Sequence, residues 1–318
     1  MHQGRAAAVS EENARRDGQV VLVTGASSGI GLATALQLAD EGASLVLASR
    51  GRDALSRAAR QCRDRGAVVL EVPADVGEEA EVEALFERAV TELGPVDAVV
   101  HAAGVLAYGR FEDVPPEVFE QVVRTNVIGT ANVARSSLHR FAAQEHGNLV
   151  VIGSVIGKIA TAMMSNYQTS KWAVHGLVRA LQVEARRTPG VDVTLVTPGG
   201  VDTPIYTQAG NYAGFEGRPP PPVYSPERVA RCVVHAIDHP QREVAVGFAN
   251  PLMVFGFRVL PGLYDVLVTP LMRALAMSSR ELDRTPGNTT RPLEEGEQLR
   301  GEWKQPTVPE VVRLLLRR

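Results

Sequence analysis

Tyr167-Gln168-Thr169-Ser170-Lys171 sets a phenol and an ammonium four positions apart, which on a helix puts both on one face. Together they form an acid–base pair. A free tyrosine has a pKa of ~10 and is a poor base at neutral pH unless shifted by ~2–3 units, about 3–4 kcal/mol. One positive charge at ~4 Å in an effective dielectric of ~20 is worth about 4 kcal/mol. Lys171 alone is therefore expected to bring the phenol into range. With six Tyr and three Lys, this spacing arises by chance only about 0.06 times in a chain of this length. A bland surface pair is the alternative. Against it, the chain writes 30 Arg and keeps Lys only at Lys158, Lys171 and Lys304. A compact ammonium fits beside a phenol and ribose hydroxyls where a planar guanidinium does not fit equivalently.

A second chemistry-bearing stretch is Thr24-Gly25-Ala26-Ser27-Ser28-Gly29-Ile30-Gly31, between an apolar run and a helical pattern. Its glycines permit a tight turn, close approach of backbone to a pyrophosphate, and a helix N-terminus aimed at the anion. The spacing is Gly-x-x-x-Gly-x-Gly, and no Gly-Lys-Ser/Thr follows, so it is not a Walker loop. A bare tight loop is the competing reading. At the end of the next apolar run stands Leu47-Ala48-Ser49-Arg50. An acid there would bind the adenosine ribose 2′-hydroxyl, whereas an Arg accommodates a 2′-phosphate. Ser49 replaces the acid and Arg50 offers a guanidinium fork, so NADP(H) is expected, with NAD(H) as the alternative. Arg50 capping the strand end in solvent is the plainer option.

These residues need a scaffold. Between residues 19 and 247, short apolar runs at 20–23, 44–48, 67–72, 98–100, 148–152, 191–196 and 243–246 alternate with helix-period segments. The helical segments lie at 31–40, 52–65, 78–92, 116–145 and 166–187. Runs apolar on both faces suit strands of a parallel sheet covered by helices. The alternation predicts an α/β, Rossmann-type doubly wound sheet with helices on both faces, and the glycine turn speaks against a barrel. Residues 1–18 are expected to be a flexible lead, 19–247 the NADP-binding catalytic domain, and 248–318 a C-terminal extension. Within that extension, 248–277 is apolar and aromatic-rich, and 278–318 is polar with one short helical pattern at 308–316.

In that order and spacing, the chain resembles a short-chain dehydrogenase/reductase of the compact, non-extended kind. The resemblance covers residues 19 to about 247. It rests on the glycine turn, Ala74-Asp75-Val76, Thr125-Asn126-Val127, Ile152-Gly153-Ser154, the Tyr167/Lys171 pair and Pro198-Gly199-Gly200-Val201-Asp202-Thr203. It implies that Tyr167 exchanges the proton at the substrate oxygen and that Ser154 hydrogen-bonds that oxygen. Lys171 would lower the phenol pKa and hold the nicotinamide ribose, and Asn126 would position Lys171 through a water. The dinucleotide would be held by Gly25, Ser27, Ser28, Gly29, Ile30, Gly31 and Arg50. Asp75 and Val76 would meet the adenine, Ala103 and Gly104 the cofactor backbone, and Pro198, Gly199, Val201 and Thr203 the nicotinamide end. Where the family carries Asn-Asn-Ala-Gly, this chain has His101-Ala102-Ala103-Gly104. The Asn side-chain bonds are lost there, and His101 is expected to be structural.

The implied activity is an oxidoreductase moving a hydride between nicotinamide and an alcohol/carbonyl pair. A dinucleotide-binding sensor or scaffold without turnover, and a lyase or epimerase using the same cofactor, are the alternatives. Residues 204–225 are the expected substrate loop. Glu216 and Arg218 are its only charges, so an apolar small-molecule substrate is expected. Met163 and Met164 suit an adaptable apolar wall or simple core packing. The 248–277 segment either packs over the sheet edge or substrate mouth, or lies on a membrane as a peripheral contact. Net charge is −3, which gives no reason to expect nucleic acid. Cys62 and Cys232 have no metal-ligand spacing, so no metal is expected. With no signal-peptide pattern and no apolar run long enough to span a bilayer, a cytoplasmic location is expected, as a homodimer or tetramer.

Overall fold

The computed structural model describes residues 16–303. Seven parallel strands form the central sheet: β1 (Val20–Thr24), β2 (Ser44–Ser49), β3 (Val69–Pro73), β4 (Ala98–His101), β5 (Gly147–Ile152), β6 (Val191–Pro198) and β7 (Glu243–Val246). Their order is β7-β6-β5-β4-β1-β2-β3. The order reverses between β1 and β4, and the crevice at the strand C-termini there is where open α/β sheets bind ligands. The strands of the sheet centre are buried on both sides, which is why they read as unbroken apolar runs and not as alternation.

Helices α1 (Gly29–Asp40), α2 (Arg52–Arg63) and α7 (Pro226–Asp238) cover one face through a core that includes Leu36, Leu38, Leu55, Val229 and Val233. On the other face lie α3 (Glu79–Leu93), α4 (Pro116–Val123), α5 (Gly129–Gln144) and α6 (Ser165–Ala185), packed around Leu85, Phe86, Phe141, Val174 and Val178. The 116–145 stretch is not one regular helix. A five-residue π turn, Arg124–Ile128, separates α4 from α5. Such bulges re-aim a side chain within a continuous rod. Here the turn buries Asn126, and Gly129 just beyond it lies so close to Val76 that a Cβ would come within 2.6 Å.

Strand boundaries otherwise move by a residue or two from the expected ones; β3, for instance, begins at Val69 and not at residue 67. Arg16 is buried and tied to Glu41 at 2.6 Å and to Asp238 at 2.7 Å, so the described chain is anchored before β1. The rest of the expected lead, and the helical pattern at 308–316, lie outside the described residues.

After β7 come α8 (Asn250–Val259) and α9 (Pro261–Ala276). Residues 277–281 then pair antiparallel with 215–217. From 282 to 303 the chain runs back over the C-terminal edge of the sheet. Gly51, with no side chain to offer as a cap for α2, is served by Glu294. Its Oε2 accepts the amides of Asp53 at 2.6 Å and Ala54 at 3.0 Å. An acid at a helix N-terminus satisfies orphan donors and complements the helix dipole.

Candidate active site

The switch-point crevice holds two adjoining hollows. The first, about 880 Å³ including its open side, follows the glycine turn. β1 delivers the chain into that turn, and α1 starts at Gly29. Gly25 has φ +65°, and a Cβ there would meet the Ala103 amide at 2.7 Å; at Gly31 it would meet the Gly25 carbonyl at 2.1 Å. Only glycine lets β1, the turn and α1 close this tightly. Ser28 makes no side-chain cap, and the first turn of α1 carries no acid, so the amides after Gly29 are left for an anion. Gly25, Ser27, Ser28, Gly29, Ile30, Gly31, Arg50, Asp75, Val76, Ala103, Gly104 and Thr203 all line this hollow. A dinucleotide's pyrophosphate fits that donor set.

The second hollow, about 860 Å³ on the same measure, opens from the first past Gly104 and Thr203. Ser154, Tyr167, Lys171, Pro198, Gly199 and Val201 line it. Most of the remaining wall is apolar, including Leu106, Ile156, Met164, Met272 and Ala276. Ser154 ends β5 and caps the 155–157 turn by accepting the Ile156 amide at 3.2 Å. α6 presents Tyr167 and Lys171 on its buried face. The Lys171 ammonium donates to the Ile152 carbonyl at 2.9 Å and lies 5.6 Å from the Tyr167 ring centre.

Burial dominates both titrations. It pushes the Tyr167 phenol up to about 12, with the Ser154 hydroxyl pulling the other way. It drops Lys171 to about 8. In the chain without a dinucleotide, burial outweighs any lowering of the phenol by Lys171. At 5.6 Å a full charge would be worth about 3 kcal/mol in a dielectric of ~20, but Lys171 is already neutral at the pH where the phenol would ionise. The protein on its own therefore holds the Tyr167 phenol protonated.

Of the expected site residues, only Asn126 lines neither hollow. It stands behind them, exchanging hydrogen bonds with the Val105 backbone, its Oδ1 accepting the amide and its Nδ2 donating to the carbonyl, both at 2.9 Å. Nδ2 also donates to Ser170, whose hydroxyl donates to the Tyr167 carbonyl at 2.7 Å. Asn126 thus ties the loop after β4 to the helix that carries Tyr167. It makes no direct bond to Lys171.

His101 replaces the lost Asn bracing by another route, its Nδ1 meeting Thr24 Oγ1 at 2.8 Å across β1 and β4. Burial, then the nearby Lys171, depress its pKa to about 3, so it stays neutral and structural. In the 204–225 loop, Ile205, Tyr206 and Pro220 reach the second hollow, while Phe215 is exposed.

Sequence reasoning missed the residues brought from afar. Met272 and Ala276, one turn apart on α9, wall the second hollow. Gln208, Asn288 and Glu297 line the first. Met272 and Ala276 carried a weak signal, an apolar pair at helical spacing; Asn288 and Glu297 carried none, being polar residues in a polar tail.

The sequence and fold have counterparts among known proteins. The family model for short chain dehydrogenases matches residues 19–212. An uncharacterized oxidoreductase of Bacillus subtilis, YxnA, is 32% identical over 261 residues, 80% of this chain and 72% of its own length. Another from Staphylococcus haemolyticus is 32% identical over 70% of this chain and 93% of its own. A short chain dehydrogenase/reductase from Burkholderia phymatum, solved with NAD, has a TM-score of 0.69 at 27% identity, over 76% of this chain and 92% of that one. Actinorhodin polyketide ketoreductase, solved as a variant with NADPH, has a TM-score of 0.65 at 29% identity, over 73% and 97%. With the family model matching residues 19–212 and relatives 32% identical over most of its length, the chain belongs to the short chain dehydrogenase family of oxidoreductases.

Proposed function

We propose that the protein interconverts an apolar alcohol and its carbonyl compound with a nicotinamide dinucleotide, working most readily as a carbonyl reductase. The observation that carries this reading is the convergence of Ser154, Tyr167 and Lys171 in an apolar pocket that opens into a glycine-lined cleft. The glycine turn and the start of α1 would hold the pyrophosphate, Asp75 and Val76 the adenine, and Val201 and Thr203 the carboxamide. When bound, the nicotinamide supplies or accepts the hydride. Ser154 donates to the substrate oxygen and fixes it beside the phenol. Tyr167 gives its proton to that oxygen during reduction, and Lys171, charged below about pH 8, steadies the negative charge that develops. The apolar wall excludes water, which strengthens both interactions.

The dinucleotide in this reading is NADP(H), with NAD(H) also accepted. Arg50 supports it, standing on the wall of the adenosine end with no carboxylate at Ser49. The α8–α9 surface supports a second element, peripheral contact with a membrane. Leu252, Phe255, Leu263, Val266 and Leu267 are exposed there, while Met272 on the same pair of helices faces the substrate pocket. Among the described residues no helix is long and apolar enough to cross a membrane.

The experiment is consumption of NADPH and NADH against a panel of apolar ketones and aldehydes, followed by the corresponding alcohols with oxidised cofactor. Turnover on members of the panel is expected. Dinucleotide binding with no turnover in either direction would put the sensor reading ahead.

A further inference from the structure

The adenosine end of the cleft is completed by the extension. Arg50 donates from Nη2 to the Asn288 carbonyl at 2.6 Å and from Nη1 to the Thr289 carbonyl at 3.2 Å. Thr289 is fully buried. Further along, Gln298 accepts the Gly29 amide at 3.0 Å, at the mouth of the glycine turn. Gly301 and Trp303 donate their amides to Asp202 at 3.1 and 2.7 Å, beyond the nicotinamide end. The extension therefore runs the length of the cleft as a strap.

Most acidic groups around this strap are committed. Glu294 caps α2, and Glu227 pairs through Oε1 with Arg300 at 2.8 Å, its buried Oε2 left without a partner among the described residues but outside the cleft lining. Glu297 differs. It lines the cleft beside Ser27 and Arg50; burial raises its pKa, with Ser27 and Arg50 pulling the other way. Its Oε2 is buried and has no hydrogen-bond partner among the described residues. A buried acceptor without a donor is costly, and it matches a ligand that brings hydroxyl groups. It is mismatched to a phosphate, which carries negative charge and accepts only. Arg50, the group that would favour a phosphate, has already given hydrogen bonds from both terminal nitrogens to the strap's carbonyls.

We propose that Glu297 is a specificity-determining residue of the dinucleotide site, accepting from the adenosine ribose hydroxyls of NAD(H) and opposing the 2′-phosphate of NADP(H). The acid that the sequence lacks at Ser49 is delivered from the far end of the chain. Arg50 and Glu297 then pull in opposite directions, and the protein takes both dinucleotides. This rests on the dinucleotide reading above.

The test is a pair of dissociation constants, for NADH and NADPH, measured by calorimetry on the full chain and on Glu297→Gln, Glu297→Asp and Arg50→Ala. Glu297→Gln is expected to weaken NADH by about tenfold and to spare or tighten NADPH, the size expected for a hydrogen bond to a charged group. Arg50→Ala moves the ratio the opposite way, and Glu297→Asp, which keeps the charge, leaves NADH binding closer to wild type than Glu297→Gln does. A thermal unfolding midpoint for each variant separates loss of fold from loss of contact. A ratio that moves by less than about twofold in Glu297→Gln, or equal losses for both dinucleotides, overturns the proposal and leaves Glu297 a strap anchor. No affinity of the wild-type chain for either dinucleotide overturns the proposal and the underlying reading together.

Discussion

At the Tyr167 phenol, burial holds the proton on oxygen up to about pH 12, while the same burial lets Lys171 lose its proton near 8. The sign follows from charge. Burial disfavours the phenolate, so the phenol pKa rises; it disfavours the ammonium, so the lysine pKa falls. Carbonyl reduction needs the phenol protonated, which it is throughout the working range, and the ammonium charged, which it is only below about 8. Reduction is therefore expected to be level below pH 8 and to fall as pH rises past it, while alcohol oxidation, which must strip a proton from Tyr167, rises with pH. A pH–rate profile in both directions checks this, and a reduction rate level to pH 10 would contradict it. The identities of these residues were legible from spacing alone. Their protonation was not, because Tyr-x-x-x-Lys says which groups meet and nothing about how much water the fold removes. Asn126 is similar: its position was readable, but its bonds to Val105 and Ser170 depend on a π turn that no local pattern announces.

Elements were legible where one physical cause dominates. Parallel strands buried on both faces must be apolar throughout, and runs of Val, Leu and Ala marked the central strands, while the edge strands β3 and β7 carry Glu71 and Glu243 and are only partly buried. The helix pair α8–α9 was harder, since its apolar character fitted both a pocket wall and a surface contact. It does the first through Met272 and Ala276, while Phe248, Leu252, Leu263 and Val266 are mostly exposed. Arg258 and Arg273 are exposed on the same two helices, against Asp265 alone. If this stripe lies on a membrane, the full chain floats with anionic liposomes, and Leu252→Glu with Leu263→Glu abolishes flotation without loss of the thermal unfolding midpoint, because neither side chain is in the core. Failure of the wild-type chain to float would remove the membrane contact and leave the wall role intact.

Over the whole molecule, the sheet, the glycine turn and the helix that carries Tyr167 make a family scaffold, and the extension packs along it. Residues 288–303 link α2, the glycine turn, Asp202 and Tyr206, the last through an edge-on contact with Trp303. None of this was legible, because contacts between a polar tail and a turn some 270 residues earlier leave no periodicity and no motif. That the scaffold is that of a short chain dehydrogenase was legible, and the central proposal is that Tyr167 is the proton donor in a dinucleotide-dependent reduction. The most direct test compares the wild-type chain with Tyr167→Phe for two quantities, turnover of a reducible carbonyl and affinity for the dinucleotide. Turnover is expected to fall by about 10²–10⁴, the usual contribution of a positioned general acid, with dinucleotide affinity changed little. Turnover in Tyr167→Phe close to that of the wild type would contradict the account.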